Sequence, residues 1–382
     1  MKMEYTLEEL FDLQMGKTPS RNNPEYWDSE DHKWIAIGDL SKCGKYISET
    51  KEYLSDKAIE ESGISQIPEN TVIMSFKLSI GKTAITREPM FSNEAIMSFR
   101  DKRVIEILPD YIYYMFSGKD WENGTNKAVM GKTLNKATLS KIRINVHGIA
   151  EQHEIVRNLD QVKEIIDARE RELQLLDTLI KARFVEMFGD PSLNTKMYPV
   201  KSLPEIAEYW NGLTYKPEDV ANEGTIVLRS SNIQNAQLDF ADTVRVTCNI
   251  DEKKYVHDND ILMCSRNGSA RLVGKVALIK DIEEPMSFGA FMMIIRSHYY
   301  PYLMTYFQMP AFRAQITTGA TTTINQITGR MLDNVTLPVP EESELESFIS
   351  FINQVDKTKL AVQKSLSETQ LLFDSLMQEY FG

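Results

Sequence analysis

The chain has 382 residues, 42% of them hydrophobic and 26% charged, with a formal net charge of −12. That length exceeds one ordinary core and predicts two or more domains, and no run of 18 apolar residues is present to span a membrane. Three unclustered cysteines (Cys43, Cys248, Cys264) and five histidines without metal-ligand spacing argue against a disulfide framework and a zinc site; with an acidic start at Met1–Leu10 that lacks a signal core, they predict a cytoplasmic protein.

Residues 1–148 read as a first domain of mixed strands and helices. Trp34-Ile35-Ala36-Ile37 and Val72-Ile73-Met74-Ser75-Phe76 are β-branched runs, and Ile80-Gly81-Lys82 opens another strand after a short loop. Tyr111–Phe116 predicts an aromatic-rich helix whose rings serve the core. Three Gly-Lys-Thr triplets, at Gly16, Gly81 and Gly131, suggest phosphate loops. A P-loop needs another glycine five residues earlier, and Phe11, Phe76 and Asn126 stand there. Asn23-Pro24-Glu25-Tyr26 lacks the second proline of an adenine-methyltransferase Asn-Pro-Pro-Tyr box. No arranged catalytic set is present, so the chain reads as a binder and not an enzyme.

Residues 149–190 predict a long helix. Ile155, Leu159, Val162, Ile166, Leu173, Leu176 and Ile180 step by threes and fours along one stripe. Neither Pro nor Gly interrupts Ala150–Phe188, and Gly189 followed by Pro191 stops it. Residues 191–340 predict a second mixed domain. Its strand-bearing segments Ile226–Ile233 and Ile261–Arg266, its Val273-Gly274-Lys275 and its aromatic helix near Tyr299–Phe307 match the first domain in kind and order. Residues 341–382 predict a second long helix with Phe348, Ile352, Val355, Val362, Leu366, Phe373 and Leu376 on its stripe. Arg169, Lys359 and Thr369 interrupt the two stripes, either as stems at the seam edge or as register control.

The helices are copies. Shifting Leu139–Gly189 by 193 residues onto Leu332–Gly382 makes 11 of 51 positions identical without a gap, where chance gives about three at roughly 6% per position. A duplicated apolar stripe finds its simplest partner in its own copy. If the intervening domain returns its ends close together, the pair is antiparallel, with one globular unit at each end.

The helical stretches hold most of the excess negative charge, with 6 basic against 10 acidic residues in 149–190 and 3 against 8 in 341–382. Residues 75–145, by contrast, carry 12 basic and 7 acidic groups, and residues 261–330 carry 7 and 3. Each globular unit therefore has a basic half able to meet phosphate. A polar loop follows each aromatic helix there, Asn123–Lys136 in the first and Thr317–Gln326 in the second, rich in side chains that contact phosphates and base edges.

In their order and duplication, several segments resemble the DNA-specificity subunit of type I restriction–modification systems. They are Leu7-Glu8-Glu9-Leu10, Gly16-Lys17-Thr18-Pro19, Glu25-Tyr26-Trp27, Arg229-Ser230-Ser231-Asn232-Ile233 and Thr336-Leu337-Pro338-Val339-Pro340 running into a helix. The resemblance covers essentially the whole chain. It implies a mixed α/β (α+β) fold with two target recognition domains joined by an antiparallel coiled coil. It also implies a bipartite double-stranded DNA target read one half per domain, and docking of two methyltransferase subunits, with a restriction and translocase subunit joining for cleavage. S-adenosylmethionine would lie in the methyltransferase subunit, leaving this chain without cofactor or metal. The candidate DNA contacts are then Lys77, Lys82, Lys127, Lys132, Asn135 and Lys136 in the first domain. In the second they are Arg266, Asn267, Arg271, Lys275, Thr322, Thr323 and Asn325. Lysines suit phosphate, whereas Arg266, Asn267 and Asn325 suit bidentate base contacts. The alternative is a coiled-coil scaffold without DNA specificity, which the net charge favours and the basic halves oppose.

Overall fold

The chain's computed structural model describes residues 2–77, 79–121, 134–317 and 325–382. It divides into two compact units, residues 1–170 with 364–382, and residues 171–363. The long helices run Ile149–Phe188 and Glu342–Phe381, 40 residues each, and each unit takes part of both. The first helix is anchored in its opening turn by buried Gln152. Its Oε1 accepts from Leu108 N at 2.9 Å and its Nε2 donates to His147 O at 2.9 Å. Gly189 ends the helix as predicted, with φ +76° and its N–H on Val185 O at 2.8 Å.

In the first unit, five strands lie in the order Phe11–Met15, Ile96–Asp101, Val72–Ser75, Thr83–Thr86 and Tyr46–Ile47. A second sheet pairs Glu52–Leu54, His32–Ile35 and Phe91–Ser92. Strand Met3–Thr6 pairs with Arg143–Val146, and the latter leads the chain into the first long helix. The aromatic helix Pro109–Gly118 buries Tyr111, Ile112, Tyr114, Met115 and Phe116 against the five-stranded sheet, so its rings do serve the core. In the second unit one four-stranded sheet runs Glu208–Asn211, Met292–Arg296, Ile261–Cys264 and Val276–Leu278. Another runs Val220–Ala221, Arg245–Val246, Thr225–Leu228 and Met286–Phe288. Val200–Ser202 pairs with Thr336–Pro338 and Tyr300–Tyr306 supplies the aromatic helix, with Tyr302 and Tyr306 fully buried.

The predicted stripe is the buried face of both helices. Ile155, Leu159, Val162, Ile166, Phe348, Val355 and Val362 are buried. Leu173, Leu176, Ile180, Ile352, Leu366, Phe373 and Leu376 are half-buried. In the second unit the helices pack antiparallel: Asp177 pairs with Lys359, Arg183 lies over Phe351, and Phe188 meets Phe348 at 5.2 Å between ring centroids. In the first unit Asn158 Nδ2 donates to Tyr380 Oη at 3.1 Å. Two of the seam irregularities, Lys359 and Thr369, have local partners. Lys359 is bound to Asp177, and Thr369 Oγ1 donates to Ser365 O one turn back at 2.7 Å.

An ionic cluster fixes the first helix to its domain. Lys45 Nζ lies 2.6 Å from Asp110 and 2.7 Å from Asp160 on the helix. Tyr46 and Tyr114 donate to the same two carboxylates at 2.5 Å each. Burial and the Asp110 hydrogen bond push Tyr46 up to about 12, so its phenol stays a donor. Burial opposes ionisation of Asp110, but hydrogen bonds from Lys45 and Tyr46 prevail and hold it below the usual carboxylate range. Lys45→Met should therefore cost the first unit about 1–3 kcal/mol, discounted because both carboxylates are partly solvated. Because the folded Asp110 titrates below its unfolded value near pH ~3.9, its contribution is complete above that pH and lost as pH falls. Denaturant melts from pH 7 to 3 should show the gap between wild type and variant closing on the acid side; a constant gap would contradict this account.

Candidate nucleic-acid interface

Each unit carries a basic loop at the same end of an equivalent pair of strands. In the first, Val72–Ser75 leads into the loop carrying Lys77 and returns through Gly81 and Lys82 to Thr83–Thr86. Gly81, at φ +90°, leaves no room for a side chain, because a Cβ there would lie 2.9 Å from Trp121 Cδ1. Trp121 sits immediately before the predicted polar loop and is locked by Nε1 on Phe116 O at 2.8 Å. In the second unit Ile261–Cys264 leads into the loop carrying Arg266, Asn267 and Arg271 and returns through Gly274 and Lys275 to Val276–Leu278. Gly274, at φ +76°, lies under Arg313, whose Nη1 donates to Val273 O at 2.5 Å. The backbones of Arg266 and Gln326 form a β-bridge, and Asn325 Nδ2 donates to Gly268 O at 3.2 Å. The two loops of this unit are thus stitched to one another.

The thirteen predicted DNA contacts divide by their local bonding. Lys127, Lys132, Thr322 and Thr323 lie outside the described residues. Lys136 and Arg271 are exposed. Lys77 is half-buried with its ammonium 5.3 Å from the Phe76 ring centroid. Lys82 donates to Ser41 Oγ at 2.5 Å and Lys275 to Ile233 O at 3.5 Å, equivalent posts on the two domains. Asn135 caps the helix Lys136–Ser140, its side chain accepting from Thr138 N at 2.9 Å. Asn267 is occupied on both sides, Oδ1 accepting from Ser269 N at 3.0 Å and Nδ2 donating to Ser230 Oγ at 3.1 Å. Neither Asn135 nor Asn267 presents the free amide edge that a bidentate base contact needs. Arg266 is exposed with its guanidinium 5.2 Å from the centroid of the Phe291 ring. Phe291 and Arg313 were not legible as parts of this cluster, since both belong to elements remote in sequence from the loops.

Comparison with known proteins fits this duplicated construction. A family model described as "Type I restriction modification DNA specificity domain" matches residues 2–177 and 196–369. The chain belongs to that family. It carries the specificity domain twice, and the match is to DNA specificity domains rather than to a scaffold. One relative is the specificity subunit of the type I restriction enzyme MjaIX from Methanocaldococcus jannaschii. It is 20% identical over 401 residues that cover 97% of this chain and 90% of that one. Among solved structures, the fold is similar to a chain from work on complex assembly and conformational transition of the type I R-M system. That likeness has a TM-score of 0.61 and 15% identity, covering 100% of this chain and 97% of the other. The S subunit of a type I restriction–modification system from M. genitalium gives a TM-score of 0.53 at 13% identity, over 100% of this chain and 96% of that one. No described helix of this specificity-family chain is long and apolar enough to cross a membrane.

Proposed function

We propose that this chain is the non-catalytic reading subunit of a type I restriction–modification complex, each unit reading one tract of a bipartite duplex target. The observation that carries the reading is the basic loop, with Lys77 and Lys82 in one unit and Arg266, Arg271 and Lys275 in the other, that stands on equivalent strand ends of both specificity domains. Their frames agree while their exposed side chains differ, which suits two unlike half-sites. The long helices dock two methyltransferase subunits, which hold S-adenosylmethionine and perform the methyl transfer; a restriction and translocase subunit joins for cleavage. Support for docking comes from apolar side chains left outside the seam. Leu179 and its repeat partner Leu372 are 45% and 51% exposed, and Leu175, Leu360 and Leu371 are exposed as well. Such a complex works on chromosomal DNA and so belongs in the cytoplasm.

The test is co-expression with the cognate methyltransferase subunit, followed by mapping of methylated adenines. Two short tracts separated by a constant gap are expected; methylation without a consensus would refute the reading. Within that assay Arg266→Ala should relax the requirement at one base pair of the second unit's tract by about 1–3 kcal/mol, leaving the other tract unchanged. An equal loss on all duplexes would assign Arg266 to phosphate alone.

A further inference from the structure

The turn that enters strand Met292–Arg296 has a counterpart in the first unit with the same backbone hydrogen bonds. Gly289 N donates to Leu228 O at 2.9 Å, as Asn93 N does to Ile35 O at 3.0 Å. Met292 N donates to Gly289 O at 2.8 Å, as Ile96 N does to Asn93 O at 3.2 Å. Ser265 N donates to Phe291 O at 2.9 Å, as Phe76 N does to Ala95 O at 3.0 Å. Phe291 and Ala95 therefore occupy the same place on the same frame. Ala95 is 8% exposed, whereas Phe291 is 58% exposed.

Single exposed apolar side chains are common, but this ring stands on a turn fixed by the same bonds that bury a small residue in the other unit. Phe291 O also accepts from Arg266 N at 3.1 Å, so the backbone beneath the ring is pinned twice. The Arg266 guanidinium lies on the ring 5.2 Å from its centroid. A wedge that unstacks bases must offer both faces to the stack, and here one face is already covered. The uncovered edge suits a small apolar group, and the apolar group that a base presents in the major groove is the thymine 5-methyl.

We propose that Phe291 is a specificity-determining residue of the second unit, its ring packing on the 5-methyl of one thymine next to the base pair held by Arg266. This rests on the DNA-reading function proposed above. It assigns a chemical feature of the target that the first unit, with Ala95 at this place, does not read in the same way.

The experiment uses the complex with its methyltransferase subunit and a duplex bearing the mapped target. Each thymine of the second unit's tract is replaced in turn by deoxyuridine, which removes the methyl and keeps the pairing. At one position the wild-type complex should lose about fourfold in affinity, the worth of one buried methyl group. The Phe291→Ala complex should show no difference between thymine and uridine there, and Phe291→Leu should keep part of it. The proposal is overturned if wild type is indifferent to uridine throughout the tract, or if that tract contains no thymine. It is also overturned if Phe291→Ala keeps the sensitivity, or weakens binding equally on target and random duplex. Should wild type fail to tell target from random duplex at all, it is the reading function itself that fails, a separate result in the same titration.

Discussion

Arg296→Met is expected to destabilise the second unit by about 3 kcal/mol, near the lower end of the range for breaking a buried ion pair because the arginine reaches solvent. Asp260 is 1% exposed. Its Oδ1 accepts from Arg296 Nε and its Oδ2 from Arg296 Nη2, both at 2.7 Å. Among the described residues the one other donor to its carboxylate is His257 N, at 2.8 Å on Oδ2. Deleting the guanidinium leaves a buried carboxylate with a single backbone hydrogen bond, and the desolvation already incurred is no longer offset. The guanidinium also lies 5.0 Å from the Trp210 ring centroid, so packing is lost together with charge. The double variant Asp260→Leu/Arg296→Met should recover much of the loss, because two apolar groups need no partner. Urea unfolding of the four proteins in the cycle measures this. A single variant within about 0.5 kcal/mol of wild type would show that the pair is not holding the sheet. The consequence reaches the reading surface through the strands: Ile261–Cys264 and Met292–Arg296 are paired antiparallel, with Asp260 and Arg296 at one end and Arg266 and Phe291 just past the other.

The second large effect is expected from a methyl group. Gly212 ends strand Glu208–Asn211 and lies against the turn described above; a Cβ on it would stand 2.1 Å from Phe288 O and 2.4 Å from Gly289 O. Gly16 is its repeat counterpart, where a Cβ would meet Ser92 O at 2.2 Å and Asn93 O at 2.3 Å. The two N–H groups make the same bond, to Met292 O and to Ile96 O, each at 3.2 Å. The obstacle is backbone and cannot rotate away. Phe288 is also held by parallel pairing with Leu228, so relief would tear a sheet. Gly212→Ala should cost about 3 kcal/mol, at the upper end for overpacking, and should displace the turn that carries Phe291. Gly38→Ala is the control, since nothing lies within 4 Å of a Cβ there. Thermal melts should separate the two variants by many degrees, and equal melting temperatures would contradict the close approach.

These two sites show why some motifs could be found in the sequence but not understood there. Gly16-Lys17-Thr18-Pro19 was visible as a triplet and as a family signature, and its failure as a P-loop followed from Phe11 five residues before Gly16. That the glycine serves a close approach to Ser92 and Asn93 depends on chain 76 residues away. Asn267 has the same lesson in reverse. Its side chain is well shaped for adenine, yet Ser230 occupies its amide.

What the sequence by itself determined was periodic and local. The duplication, the two long helices with their buried stripe, the Gly189 stop and the paired strand–loop–strand segments all follow from residues a few positions apart, because helix and strand repeats are set by backbone geometry. Tertiary structure alone decided which polar side chains are spent within the protein and which remain available. It also decided that Phe291 stands in solvent where Ala95 is covered, and that Asp260 has Arg296 to satisfy it. Those outcomes depend on partners brought from distant parts of the chain, and hydrogen bonds and close contacts act over a few ångströms of space, whatever the separation in sequence.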